Sequence, residues 1–177
     1  MAKLQIVLVA FIAAYVGCAQ GQTASKQTVR EQTHFSAEDE DVHHPVTIPD
    51  EAWEILKHDK STKVYLDEGS SPAERQRSWF SAALVHLQNA SKTDYVVQAK
   101  GPLRGANVNT FWVFQDTPNG MKLVLTAPVH DLSILSSRWN GVRTIELDGM
   151  TCCEITTTWL RYENGKFEIH RQITKKI

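Results

Sequence analysis

The segment whose residue types could support metal chemistry runs from Val85 to Gln98 and reads VHLQNASKTDYVVQ. It has the outline of a calcium-binding loop: a short strand, polar residues at alternate positions, a turn, and an acid before the next strand. Calcium takes about six to eight oxygen ligands, several of them from carboxylates. The ligand positions here are His86, Gln88 and Asp94, and only Asp94 carries a carboxylate. We therefore predict a structural hairpin that holds no metal, and the sequence indicates no other cofactor.

A second pair that could do chemistry is His130 and Asp131, an imidazole next to a carboxylate. In a hydrolase such a pair could act as acid–base groups. Ser133 and Ser136 follow, but the sequence lacks a nucleophile-elbow pattern such as G-x-S-x-G. We therefore predict that His130 and Asp131 are polar residues between two strands. An envelope hydrolase that uses them is the alternative.

The thiols of Cys152 and Cys153 are adjacent, and besides Cys18 they are the only cysteines of the chain. Neighbouring Cα atoms lie about 3.8 Å apart, whereas disulfides span about 4.4–6.8 Å, so no bond between them is expected. Strand periodicity places Cys153 on the inward face with Ile155 and Trp159, and Cys152 outward. A strand thiol without an electropositive pocket is a weak nucleophile, which leaves the role of Cys152 open.

The contact surface that the sequence favours is the loop KGPLRGAN, Lys100 to Asn107. Two glycines and a proline shape it, and Arg104 offers a planar fork of hydrogen-bond donors. Arg104 and Asn107 are the candidate binding residues. The alternative is that this loop is only a strand connection.

The first 19 residues have the features of a secretory signal peptide. Lys3 precedes the apolar run LQIVLVAFIAAYV, Leu4 to Val16, and small residues follow. The run is shorter than the roughly 20 apolar residues that a membrane-spanning helix needs. We predict an exported protein of the periplasm, the outer envelope or the medium.

Two endings of the signal are consistent with the sequence. YVGC, Tyr15 to Cys18, resembles the bacterial lipobox, in which Cys18 would carry a lipid, although Tyr15 stands where leucine is usual. Cleavage after Ala19 or Gly21 is the alternative, because small residues precede both bonds. Contact with a membrane is therefore predicted only through a lipid on Cys18.

Residues 20–46 are rich in Gln, Thr, Ser, Glu and Asp and contain few apolar residues. Such a composition buries too little surface to offset the entropy of ordering, so we predict a flexible polar linker. Residues 47–177 are predicted to form a single domain. At its start, Ile48, Ala52, Ile55 and Leu56 recur on one face of a helix.

After Trp79 the apolar pattern changes to period two, and turn residues such as DTPNG, SSRWNG and ENG separate short runs. The predicted strands are WFSAALVHL, DYVVQAK, NTFWVFQ, MKLVLTAP, HDLSIL, VRTIELD, TCCEITTTWLRY and KFEIHRQIT. NTFWVFQ is apolar on both sides, so it should be covered on both faces. The predicted fold class is α+β, with short N-terminal helices packed on a meandering antiparallel β-sheet.

A resemblance to a known group lies in SWFSAALVHLQNASKTDYVVQAK, GANVNTFWVFQDTPNGMKLVL, LSILSSRWNGVRTIEL and LRYENGKF. These segments resemble uncharacterised exported bacterial proteins with a strand–turn–strand unit similar to the FG-GAP units of integrin-like propellers. The resemblance runs from about Ile48 to Arg171 and implies an architecture but no activity. The chain departs from the pattern at His86, Ala90 and Thr144, where acids are expected, and at Ser91, where the turn glycine is expected.

The charge balance excludes some classes of partner. The formal net charge is −1 and the isoelectric point is near 6.6, so no basic surplus indicates nucleic acid. The expected function is a non-enzymatic binding module that recognises an unknown protein or small ligand. The alternatives are the envelope hydrolase and a calcium-dependent FG-GAP-like module.

Overall fold

The computed structural model describes residues 30–67 and 76–177, apart from the side chains of Val64, Tyr65 and Asp67. The strands are β1 (His34–Ser36), β2 (Pro45–Val46), β3 (Phe80–Val85), β4 (Asp94–Ala99), β5 (Asn109–Thr117), β6 (Gly120–Val129), β7 (Asp131–Trp139), β8 (Val142–Met150), β9 (Glu154–Glu163) and β10 (Lys166–Lys176). The α-helices are α1 (Asp50–His58) and α2 (Lys60–Asp67), and a 3-10 turn spans Gly101–Leu103. The predicted signal peptide with Cys18, and linker residues 20–29, lie outside the described residues.

The strands form two antiparallel sheets of five strands each. Sheet A has the order β1-β7-β8-β9-β10, and sheet B has the order β2-β3-β4-β5-β6. The eight strands predicted after Trp79 occur as β3 to β10 in the predicted order. The predicted fold class is nevertheless wrong: the structure is 55% strand in two sheets with only about 14% helix, so it is nearly all-β and not α+β.

The division into two sheets follows from a pairing between strands that are distant in sequence. β6 and β7 are consecutive, but β1 pairs with β7 through His34↔Ser133 and Ser36↔Asp131, so the edge of β7 is already occupied. β2 pairs with the outer edge of β3 in the same way. The meander expected from the sequence therefore becomes two shorter meanders, and the chain crosses from one sheet to the other at His130.

Residues 30–46 correct the prediction of a flexible linker in the part of it that the structure describes. They contain β1 and β2, and Phe35 and Val42 are 0% and 3% exposed. Polar contacts also fix the segment, since the Gln98 amide donates to the carbonyl of Asp39 at 2.9 Å. Composition averaged over the segment hides the two apolar side chains that attach it to the core.

Two apolar clusters lie on opposite faces of sheet B. The first fills the space between the sheets and includes Phe35, Phe111 and Ile145. The second lies between sheet B and the helices and includes Leu56 and Trp112. β5 is thus covered on both faces, as its sequence predicted. The described helices lack the length and apolar character that a membrane span requires.

Asn-Gly turns close two hairpins of sheet A. Asn140 and Gly141 have φ values of 49° and 79°, and Asn164 and Gly165 have values of 52° and 83°. Two consecutive residues with positive φ are the requirement of a type I′ hairpin, which Asn-Gly satisfies with little strain. These turns set the register of the strand pairs β7–β8 and β9–β10.

The predicted inward face of β9 is wrong by one residue. Cys153 and Ile155 are exposed, whereas Leu160 is 3% exposed and belongs to the core between the sheets. Trp159, predicted to point inward, lies under the guanidinium of Arg171 instead. Apolar residues occur at both parities in this strand, so alternation alone did not select the face.

Candidate functional site

The carboxylate of the predicted calcium loop is a structural acceptor. Asp94 is 0% exposed, and its Oδ2 accepts the backbone N–H of Leu87 at 2.8 Å. Its Oδ1 accepts the backbone N–H of Asp116, also at 2.8 Å. One buried side chain therefore joins the start of the loop to the end of β5.

Burial raises the pKa of Asp94 above its ordinary value of 3.8. The backbone N–H groups of Asp116, Leu87 and Gln88 oppose that rise but do not cancel it. The negative charge of Asp94 also acts on Tyr162: burial is the larger cause that raises the pKa of Tyr162, and the Asp94 charge is the second.

The other predicted ligand positions bond to the backbone as well. His86 Nδ1 lies 2.7 Å from the carbonyl oxygen of Lys92 across the loop. The Gln88 amide donates to the carbonyl of Asp116 at 3.2 Å. The three positions therefore close the loop with protein groups. Among residues 30–67 and 76–177, no three His, Cys, Asp or Glu side chains are arranged to hold a metal ion.

The structure brings His130 and Asp131 together at the crossing between the sheets. His130 is 9% exposed, and its Nδ1 lies 3.1 Å from Asp131 Oδ2. Its Nε2 faces Glu38 Oε1 at 3.8 Å. Ser133 is hydrogen-bonded to His34 at 2.9 Å rather than to His130. The His130 ring thus has a carboxylate on each side, Asp131 and Glu38. Among the described residues, no hydroxyl or thiol nucleophile lies within hydrogen-bond distance of it.

Arg104 binds the protein's own chain. Its Nε and Nη2 donate to the carbonyl of Ala37 at 3.0 and 2.6 Å, and Nη2 also donates to the carbonyl of Glu38 at 2.7 Å. Asn107 is exposed. The fork that the sequence offered to a partner therefore holds the segment after β1 in place.

A cleft of about 500 Å³ lies where the hairpin ends converge. Its lining residues are Gln88, Gln115, Asp116, Thr117, Pro118, Asn140, Val142, Tyr162, Glu163 and Asn164. Its central polar groups already have partners, since Tyr162 donates to Gln115 Oε1 at 2.6 Å and Asp116 lies 3.6 Å from the ammonium of Lys92. This cleft is built mainly by internal contacts.

The outer face of sheet A carries a different kind of cleft, of about 310 Å³. Its lining residues are Leu135, Ser137, Arg138, Thr144, Trp159, Arg161, His170 and Arg171. Strands β7 to β10 each contribute a lining residue, and none of the described residues that line the cleft is acidic. We refer to it as the arginine cleft.

Two guanidinium groups of the arginine cleft stack on tryptophans. Arg161 Cζ lies 4.1 Å from the centroid of the Trp139 ring, and Arg171 Cζ lies 5.2 Å from that of Trp159. Both distances are within the range of cation–π attraction, which extends to about 6 Å. Trp159 and Arg171 are partners in the register of β9 and β10, so the sheet itself sets their spacing.

The same two guanidiniums have no hydrogen bond or ion pair with any residue in the described ranges. Glu168 lies opposite Arg161 in register but is paired with Lys166 at 3.4 Å. Glu146 lies opposite Trp159 and forms no ion pair with either arginine. The hydrogen-bonding edges of Arg161 and Arg171 are therefore available.

Arg138 fixes the rim of the arginine cleft. Its Nη1 donates to the carbonyl oxygens of Leu87, Gln88 and Gly141, with the Leu87 bond at 3.0 Å and the Gly141 bond at 2.9 Å. The loop that Asp94 closes is thus attached to the β7–β8 turn. Closure of that loop and the position of the cleft rim are connected through Arg138.

Sequence patterns did not predict the arginine cleft. Its residues come from four strands, and their proximity depends on a register that the chain order does not state. A signal was present in TTTWLRY, because Trp159 and Arg161 are two residues apart and must share a strand face. Reading Trp159 as a core residue hid it.

Comparison with models of protein families, with curated proteins and with solved structures gives no match. The fold and this site together define an antiparallel β protein of two sheets, with the arginine cleft on the outer face of sheet A. The likeness to exported FG-GAP-like proteins stays a prediction.

Proposed function

We propose that the protein is an exported, non-enzymatic binding module that holds a phosphate or sulfate group in the arginine cleft. The observation that carries the proposal is the pair of guanidiniums, Arg161 and Arg171, which stack on tryptophans and have no acceptor among the described residues. The ligand is an ester or headgroup that carries the anion.

The chemistry of the guanidinium supports this class of ligand. Its planar fork of N–H donors matches the oxygens of a phosphate or sulfate, and two parallel bonds form at once. Stacking on Trp139 and Trp159 restricts the arginine side chains before the ligand arrives. Less rotamer entropy is then lost on binding, so the affinity per contact is higher.

Export places the ligand outside the cytoplasm in this proposal. The apolar run from Leu4 to Val16 is its support, and a lipid on Cys18 would keep the module at a membrane surface. The net charge of −1 does not favour general attraction to polyanions. A local cleft, rather than the whole surface, must therefore provide the recognition.

The hydrolase alternative has weaker support. His130 Nδ1 is engaged by Asp131, and the remaining nitrogen faces the exposed Glu38. A general base needs a proton to abstract within hydrogen-bond reach, in the substrate or in a nucleophile. Neither the clefts described above nor the neighbouring hydroxyl of Ser133 provides that arrangement.

Titration with inorganic phosphate and inorganic sulfate tests the proposal, with tryptophan fluorescence as the readout. We expect a saturable change for the wild type. Arg161→Ala and Arg171→Ala should each weaken phosphate affinity at least about tenfold, or about 1.4 kcal/mol. Arg171→Lys should restore only part of the loss, because an ammonium lacks the fork.

The matched control is Lys175→Ala, which removes an exposed cation from the same strand as Arg171. It should leave phosphate affinity unchanged. Absence of saturable binding, or equal affinity of the arginine variants and the wild type, would overturn the proposal. Vesicles with phosphatidylglycerol, compared with soluble glycerol phosphate, then separate a lipid headgroup from a free ester.

A further inference from the structure

Cys152 and Cys153 form an exposed pair of thiols in the turn between β8 and β9. Their sulfur atoms are 3.0 Å apart, and both cysteines are free. The position is independent of the arginine cleft, because this turn lies at the opposite end of the strands from the Asn140–Gly141 turn.

The backbone of this turn is held from several directions. The N–H of Thr151 donates to the carbonyl of Glu154 at 2.9 Å, and the N–H of Glu154 donates back to Thr151 Oγ1 at 3.1 Å. The N–H of Ile177 donates to the carbonyl of Cys153 at 2.9 Å. These hydrogen bonds therefore hold the backbone that carries the two thiols.

Adjacency determines which chemistry is open to the pair. The Cα atoms of neighbouring residues lie about 3.8 Å apart, below the usual disulfide range of about 4.4–6.8 Å, so the oxidised ring is strained and easily reduced. The thiols thus persist as a dithiol more readily than a well-spaced pair would. Two sulfurs on one short segment can bind one atom together.

We propose that Cys152 and Cys153 form a chelating site for a trivalent metalloid, arsenic(III) or antimony(III). Soft cations select thiolate ligands. Two bonds of about 2.3 Å, the length of a zinc–thiolate bond, span about 3.3 Å when they meet at a right angle. The observed 3.0 Å fits such a pyramidal centre with a small adjustment, whereas a linear two-coordinate cation would require the sulfurs to separate.

The reaction balances without an oxidant. With phenylarsine oxide, two arsenic–sulfur bonds form and the arsenic–oxygen bond breaks. The two thiol protons leave with that oxygen as one water molecule, and arsenic stays trivalent. The hydrogen bond with Cys152, across the 3.0 Å between the sulfurs, raises the pKa of Cys153 above its ordinary value.

The test uses the full chain with Cys18→Ser, so that Cys152 and Cys153 are its only thiols. Intact mass should show one phenylarsine oxide per chain with the loss of one water. The adduct should resist excess monothiol and be removed by 2,3-dimercaptopropanol. Cys152→Ser and Cys153→Ser should each weaken the affinity about a hundredfold, because a single sulfur loses the chelate advantage.

Both serine variants should keep the melting temperature of the parent, since the two side chains are exposed. N-ethylmaleimide should label two thiols in the parent and one in each variant, which shows that the remaining thiol is still reactive. Equal arsenical affinity of the parent and the single-serine variants would refute chelation. So would a parent adduct that excess monothiol removes.

Discussion

At the scale of single residues, Asp94 has the most consequential position in the predicted metal loop. Its two carboxylate oxygens accept backbone N–H groups of Leu87 and Asp116, and no solvent reaches it. An unpaired buried N–H costs about as much as a lost hydrogen bond. The carboxylate of Asp94 therefore closes the loop by satisfying two backbone N–H groups.

Asp94→Asn should lower the free energy of unfolding by about 1–3 kcal/mol, because the amide nitrogen cannot accept the N–H that it faces. Urea unfolding measures the change. The control is Asp116→Asn, whose carboxylate pairs with Lys92 at a partly exposed site and should contribute less than about 1 kcal/mol. Equal effects of the two variants would contradict the role given to Asp94.

The difference in unfolding free energy between the wild type and Asp94→Asn should depend on pH with a definite sign. Since the pKa of Asp94 is higher in the folded state than its ordinary value of 3.8, the folded state binds more protons between the two values. Its contribution to stability therefore falls as pH rises through that interval. The gap between wild type and Asp94→Asn should be largest below pH 3.8 and shrink towards neutral pH. A gap that widens with pH would mean that the pKa is lowered.

Alanine variants of Arg104 and Asn107 test whether each residue stabilises the fold or is free to bind a partner. Arg104→Ala removes the donors to Ala37 and Glu38 and should cost about 1–3 kcal/mol of unfolding free energy. Asn107→Ala, at an exposed position of the same loop, should change it by less than about 0.5 kcal/mol. Thermal unfolding of both variants decides the question, and an unchanged Arg104→Ala variant would return Arg104 to the candidate binding residues.

At the scale of elements, the hairpin turns of sheet A set the register that builds the arginine cleft. Gly141 has a φ of 79°, and among the described residues no atom beyond its two chain neighbours lies within 4 Å of the place a Cβ would take. An alanine at position 141 would therefore be destabilising because of its positive φ and not because of a steric clash with other residues. Gly149 in β8 has a φ outside the left-handed region, and a Cβ added there would meet only the Thr156 carbonyl oxygen, at 3.9 Å, among described atoms beyond its chain neighbours.

Gly141→Ala should therefore destabilise the protein by about 1–2 kcal/mol, the cost of the left-handed conformation. Gly149→Ala should be neutral or stabilising by up to about 1 kcal/mol, because glycine weakens a strand. Opposite signs in chemical denaturation are the expected result. Equal destabilisation by the two alanines would show that the turn conformation does not control this hairpin.

The sequence predicted elements better than faces. Turn residues and period-two runs located β3 to β10, since both are local properties of the chain. The face of β9 was predicted wrongly because Trp159 is apolar yet lies against Arg171 outside the core. Whether a tryptophan meets the core or a guanidinium depends on the neighbouring strand, which alternation does not reveal.

At the scale of the whole molecule, β1 decides that there are two sheets. Three residues occupy the edge of β7, and Phe35 places its ring 6.4 Å from that of Phe111 in the core between the sheets. A short strand in a polar segment has no local periodicity to read. Its pairing with β7, about 100 residues away, is a tertiary event, so the fold class could not be predicted from local patterns.

Phe35→Ala should cost about 3–5 kcal/mol, the range for a fully buried phenylalanine. Glu40→Ala, at an exposed position of the same segment, should stay within about 0.5 kcal/mol of wild type. Denaturant unfolding compares the two. A Phe35→Ala variant as stable as Glu40→Ala would mean that residues 30–46 contribute little to the folded core.

NMR titration of ¹⁵N-labelled protein with inorganic phosphate tests anion binding in the arginine cleft most directly. The indole N–H signals of Trp139 and Trp159, and the Nε–H signals of Arg161 and Arg171, should shift together along one saturable curve. The indole of Trp112, buried under the helices, should not move. Shifts confined to another surface, or none that saturate, would contradict the assignment of this face as the binding site.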